Sequence, residues 1–241
     1  MLVKGPVGAA MGFAMNVCLC LAVFFVSDRL VLTATGAVPI DKQEAPYLHS
    51  MARSLATWAN VPSPRLYLVE VPEPNAFLIG GPGQRPAVVV TRGLLASFDH
   101  DEIKGVIAHE LAHCKQGETL WSTYAAALLA LAVRLRCVFL RSRARQHRAS
   151  ALGGLVAPLM HLSSARDHEY AADALSVRLT GAPDGLIKAL SRATAASAAF
   201  DQTRLTLPLY VAHPFVMPPR FNRFNPRPLP EERMALLRRL A

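Results

Sequence analysis

The sequence predicts an α+β fold. It is mainly helical with a small β-sheet, and it carries an N-terminal transmembrane helix and an apolar helical hairpin. Three observations lead there. Residues 5–26 contain no charged side chain, which is long enough to cross a bilayer as a helix. Between residues 65 and 91, three short apolar or alternating runs are separated by Pro- and Gly-rich turns, as strands are. From Asp99 onward, apolar residues recur at helical spacing in several successive segments. The 241-residue length fits one folded domain, 41–241, behind an anchor and interfacial segment, 1–40.

The apolar run starts after Lys4 and is followed by Asp28-Arg29. No small-x-small cleavage site closes it, so it is read as a retained anchor rather than a signal peptide. Leu30–Ile40 is too short to cross alone; it either lies along the interface or extends the first helix. Asp41–Asn60 forms a helix with Leu48, Met51, Leu55 and Trp58 as its apolar face. Arg65–Val71, Asn75–Ile79 and Ala87–Thr91 are strands. Pro72-Glu73-Pro74 and Gly80–Gly83 turn the chain between them, and Leu94–Ser97 leads into the next helix.

That helix begins with a capping box, Asp99 with Glu102 three residues on. Ile103, Val106, Ile107 and Leu111 form its buried stripe, and it stops near Gly117. Leu120–Val133 and Ala151–Leu162 are then two apolar arms around a basic tip, a hairpin insertion over 120–162. Each arm holds only about 12–14 clean apolar residues, short of a full crossing. The hairpin therefore dips into one leaflet or packs on the anchor. Ser164 and Asp167 open a further helix that Gly181-Ala182-Pro183 ends. Asp184–Ala199 is an alanine-rich helix. The chain turns proline-rich from Pro208 and closes on a basic helix, Pro230–Ala241.

The composition is 52% hydrophobic with a net charge of +9, and the mean hydropathy is +0.25. Arginines 134, 136, 141, 143, 145 and 148 lie in one stretch without an acid; without these six the net charge falls to +3. The basicity is thus local and adjoins apolar segments, which suits anionic lipid head groups at Arg134–Arg148 rather than nucleic acid. The four cysteines form neither a metal-type pair nor a disulfide framework, in keeping with a reducing compartment.

His109-Glu110-Leu111-Ala112-His113 carries the chemistry. Histidines four apart on a helix leave the same face one turn apart, as two zinc ligands must. Glu110, beside them, can face a zinc-bound water and take its proton. A catalytic zinc site needs a third protein ligand. The downstream histidines His147, His161, His168 and His213 and several acids are open to this role. Glu169 fits by position, early in its own helix. Asp173, one turn on, suits a partner for a ligand's N–H.

The chain resembles the HtpX-type membrane zinc endopeptidases, a family related to the CAAX prenyl proteases. The matching residues run in order: Pro64–Val69, Asn75-Ala76-Phe77, Ala87–Thr91 with Gly93-Leu94-Leu95, Asp101–His113, Arg166 with Glu169, Ala172 and Asp173, His213-Pro214, and Arg233–Leu237. The resemblance implies a zincin-like metallopeptidase with one zinc ion per chain, held by His109, His113 and Glu169, with Glu110 as general base. It also implies Asn75 near the strand edge where substrate docks, and His213 as a stabiliser of the oxyanion. Arg166 would orient the helix or the ligands. Arg233, with Arg220 as its rival, would fill the family's closing arginine position. The chain departs from the family in showing one clear N-terminal span where two are usual. The expected activity is cleavage of membrane or membrane-associated proteins, at a bacterial inner membrane with the catalytic domain in the cytoplasm. The alternative is a membrane sensor or scaffold with a structural metal.

Overall fold

A computed structural model describes residues 6–80, 85–117, 119–120, 122–124, 126–128, 131, 166–199 and 228–240. The elements are α1 (Pro6–Thr35), β1 (Val38–Pro39), α2 (Pro46–Ala59), β2 (Arg65–Val69), β3 (Ala76–Ile79), β4 (Ala87–Thr91), α3 (Arg92–Ser97), α4 (His100–Lys115), α5 (Arg166–Thr180), α6 (Asp184–Ala199) and α7 (Pro230–Leu237). The arginine stretch, the second apolar arm, Ser164, His213 and Arg220 lie outside the described residues.

The sheet has the order β1-β2-β4-β3. β2 and β4 run parallel, while β1 on β2 and β3 on β4 are antiparallel. Both faces are covered, which explains why Ala87–Thr91 reads as an unbroken apolar run. Side chains alternate between the faces along each strand. Leu66, Leu68, Ala76, Leu78, Val88 and Val90 point into a core shared with α2, α4 and α6. Val69, Phe77, Ile79, Ala87 and Val89 point into a second core shared with α1.

Helix α1 runs through Asp28-Arg29 without a break, so the segment after the apolar run extends the first helix as far as Thr35. Its length and apolarity suffice to cross a membrane over Phe13–Thr35. Its last turns lie against the second core: Val31 and Leu32 are buried there. Asp28, 2% exposed, is ion-paired with Arg65 at 3.1 Å. Val38–Pro39 then joins the sheet as an edge strand. The described residues of the first apolar arm, Leu120–Val133, are helical, as is Thr119 before it. They join the second core through Ala126 and Ala127 and meet α1 in an edge-to-face contact of Tyr124 with Phe24.

Helix α2 buries Leu48, Met51 and Leu55 as expected, but Trp58 is 64% exposed. Its face is completed by Ala52, Ala56 and Ala59. Small side chains let α2 approach α4 closely, and the indole at 58 points away from that seam. Asn60 ends the helix in the left-handed conformation, φ 56°, which asparagine tolerates at a helix end.

Helix α4 carries the predicted capping box. Asp99 Oδ1 accepts from the Glu102 N–H and Glu102 Oε2 accepts from the Asp99 N–H, both at 2.8 Å. The second Glu102 oxygen accepts from Arg192 Nε of α6 at 3.0 Å, so one buried carboxylate caps α4 and ties it to α6. The two helices cross on glycine. A Cβ at Gly105 would lie 2.7 Å from the Leu186 nitrogen, and one at Gly185 would lie 2.3 Å from the Asp101 carbonyl.

Candidate metal centre

Helix α4 lies between the sheet, α2, α5 and α6, and every residue from Gly105 to His113 is buried. Its capped N-terminus and glycine crossing fix its register, so the turn holding His109 and His113 is presented to α5 without freedom to rotate. The two imidazoles stand edge to face, 4.7 Å between centroids, and their Nε2 atoms are 3.1 Å apart. From α5, Glu169 sends Oε2 to within 3.6 Å of His109 Nε2 and Oε1 to within 4.0 Å of His113 Nε2. The three ligand atoms lie within 4.8 Å of one another, and all three residues are buried.

The residues around this triad set its orientation and charge. Asp173 Oδ1 is 3.0 Å from His109 Nδ1. A proton on Nδ1 directed at that carboxylate leaves the Nε2 lone pair facing His113 and Glu169. Arg233 reaches in from α7. Its Nε donates to Asp173 Oδ2 at 2.8 Å and its Nη2 to Oδ1 at 2.6 Å, the two-pronged geometry that only a guanidinium offers. Its Nη1 lies 3.3 Å from Glu169 Oε2, and its Nη2 lies 3.3 Å from His109 Nε2.

Burial pushes the His109 imidazole below its usual range, and the Arg233 charge adds to this, while the Asp173 hydrogen bond opposes it. Burial alone would raise the Asp173 carboxyl. The charge and hydrogen bonds of Arg233, with the hydrogen bond from His109, outweigh it and hold the group below its usual value. Burial likewise disfavours the Arg233 cation, but the carboxylates of Asp173 and Glu169 hold its proton more firmly than usual. These shifts favour a neutral His109, its lone pair available to a metal, beside an ionised Asp173.

These residues suit a divalent cation. In a tetrahedral zinc site with bonds of about 2.05 Å, two ligand nitrogens stand about 3.3 Å apart, close to the observed separation. Glu110, Glu169, Asp173 and Arg233 are all buried. Three carboxylates against one guanidinium leave a net charge of −2, which a divalent ion neutralises; buried charge left unbalanced is costly.

The other residues singled out from sequence are placed as follows. Glu110 is buried beside the two histidines, 2% exposed, and its charge is felt by Arg233. Asn75 precedes β3 and is buried. Its N–H donates to Thr91 Oγ1 at 2.8 Å, its carbonyl accepts from the Thr91 N–H at 3.0 Å, and its Oδ1 accepts from the Ala76 N–H at 2.9 Å. Arg166 is exposed at the start of α5 and is not brought into the cluster. The Asp28–Arg65 pair was not anticipated; its one signal was a charge pair placed directly after an apolar run.

Comparison with known proteins agrees with this geometry. Residues 42–241 match the model of peptidase family M48. The chain is 32% identical to a "Protease HtpX homolog" of Acaryochloris marina, over 99% of this chain and 87% of that protein. It is 34% identical to one of Dictyoglomus thermophilum, over 90% of this chain and 79% of that one. Among solved structures it resembles Ste24p of S. mikatae with a TM-score of 0.52 at 20% identity, over 92% of this chain and 56% of that one, a likeness of fold. The chain belongs to peptidase family M48 and is a metalloprotease of the HtpX type.

Proposed function

We propose that the chain is a membrane-anchored zinc endopeptidase acting on membrane or membrane-associated proteins. The observation that carries this is the convergence of His109, His113 and Glu169 with Glu110 buried alongside. Zinc held by these three side chains would polarise the scissile carbonyl and make water acidic enough to be deprotonated near neutral pH. Glu110 takes that proton and returns it to the leaving amine. Asp173 holds His109 in the ligating tautomer, and Arg233 fixes Asp173 and Glu169 against each other. His213 is proposed as the oxyanion donor from the resemblance alone. A scaffold with a structural metal has no need of a buried Glu110 next to its ligands.

Substrate docking is assigned to β3, an edge strand. The Thr91 N–H donates to the Asn75 carbonyl across the β3–β4 ladder, and in an antiparallel ladder hydrogen-bonded pairs alternate with non-bonded ones. The backbone groups of Phe77 and Ile79 therefore face β4, while the Ala76 carbonyl and the Leu78 N–H and carbonyl face the open edge. A peptide strand can add there. Asn75, locked into its turn by Thr91, holds the start of that edge.

The exposed large apolar side chains of α1, Met11 to Val26, support the membrane anchor. The proposed setting is a bacterial inner membrane with the catalytic unit and the arginine stretch 134–148 on the cytoplasmic side, the arginines against anionic head groups. The test is Glu110→Gln. Cleavage of an unfolded protein should fall by about 10²–10⁴ with zinc content unchanged. Undiminished cleavage would rule the mechanism out.

A further inference from the structure

We infer that this peptidase cuts its substrates at a fixed short distance from the lipid surface, on extended segments just outside a membrane span. The inference rests on the membrane-anchored reading above and deepens it.

The anchor is not a tether. Large apolar side chains of α1 are exposed as far as Val26, after which Ser27, Asp28, Val31 and Leu32 are buried against the domain. Lipid therefore ends close to Val26, and the next three turns belong to the peptidase fold. Asp28 is bound to Arg65 at the start of β2, and Val38 is paired with Leu68 near its end. From Asp28 to Thr35 a helix rises about 10 Å; from Arg65 to Leu68 a strand rises about 10 Å. The two rises match, so α1 and β2 run side by side in the same direction. The strands stand along the axis of the anchor rather than across it.

The sheet register carries this to the docking edge. Ala87 of β4 is level with both Arg65 of β2 and Ile79 of β3. The C-terminal end of β3 therefore lies at the level of Asp28, at the lipid boundary, and β3 leads away from the bilayer towards Ala76. An independent contact gives the same level. The Gly80 N–H donates to Thr123 Oγ1 at 3.0 Å, and the next residue, Tyr124, meets Phe24 in the apolar part of α1. Thr119, one turn before Thr123, lies over Gly80, where an added Cβ would stand 3.1 Å from its Cγ2. It follows His113 by six residues, across the turn at Gly117. The C-terminal end of α4, with the metal ligands, is thus the end nearest the membrane.

A chain leaving the bilayer at the level of Gly80 and pairing with β3 passes the whole strand in about 13 Å, or four residues. The scissile bond then falls within about the first ten residues outside the lipid. Residues further out reach the same edge only by folding back.

The experiment uses the full-length protein with zinc in phosphatidylcholine/phosphatidylglycerol vesicles. Its substrate is a single apolar span followed by an unstructured tail of about 40 residues, built from one repeated peptide so that every repeat offers the same bonds. Mapping the cuts by mass spectrometry should place them in the repeat next to the span, at least about tenfold over the distal ones. Cuts spread evenly along the tail would overturn the inference. The same tail without its span, presented in detergent, should be cut in every repeat; if it is not cut at all, the peptidase reading itself fails. In a chain whose four native cysteines are replaced by serine, a fluorophore attached through Phe25→Cys should be quenched by brominated lipid, and one attached through Thr33→Cys should not. Equal quenching at both would place the lipid boundary elsewhere and overturn the inference.

Discussion

Helix α1 leaves Met11, Phe13, Met15 and Phe25 between 60% and 74% exposed, while α4 holds Glu102, His109, Glu110 and His113 at 4% exposure or less. The apolar helix is the exposed one and the charged helix is the buried one. Burial follows position in the architecture rather than hydropathy. The outer face of α1 is left uncovered by the described residues, and lipid is its proposed partner. Helix α4 is enclosed by the sheet and three helices, and part of the buried charge on and around it is matched by protein groups, the rest being what a divalent ion would neutralise. Glu102 meets its own cap and Arg192. The Glu169–Asp173 pair opposite the histidines meets Arg233. Function requires charge inside, and the fold surrounds that charge with compensating groups instead of water.

Truncating the two helices should therefore give unequal results. Leu111→Ala removes a fully buried side chain from α4 and should cost about 2–5 kcal/mol. Phe25→Ala, on the exposed face of α1, should leave thermal unfolding in detergent almost unchanged. Comparable losses in both would mean that α1 is packed in protein over its full length.

A smaller effect is expected from the groups around the ligands. Asp173→Asn keeps the shape but removes the charge that faces His109 and Arg233. Metal affinity, read by competition with a chelator, should weaken about 10–100-fold. Unchanged affinity would make Asp173 a packing residue. The smallest effect belongs to the cap. Asp99→Ala removes one side-chain acceptor at the start of α4 and should lower stability by about 1 kcal/mol, seen as a shift in unfolding midpoint with zinc bound. A loss several times larger would mean that the cap also positions the ligands.

What could be read in the sequence was what lies close along the chain. The Asp99–Glu102 box, the histidine pair and strand Ala87–Thr91 are local patterns, set by hydrogen bonds and side-chain direction within one element. Glu169 and Asp173 were legible because a helical turn puts them on one face. The resemblance extended this to Arg233, whose guanidinium meets Asp173 across 60 residues; no local pattern encodes such a contact. Sheet order escaped for the same reason, since β4 lies between β2 and β3 although it follows both in sequence. Trp58 was misplaced because helical spacing alone favours the larger apolar residue. The seam with α4 instead selects Ala52, Ala56 and Ala59, whose small side chains allow close approach.

The most direct measurement is the metal content of the purified full-length protein, wild type beside Glu169→Gln and His113→Ala. One zinc per wild-type chain, and loss of it in both variants while the protein remains folded, is the predicted result. A wild-type chain without stoichiometric metal, or variants that keep it, would contradict the assignment of His109, His113 and Glu169 as the metal centre.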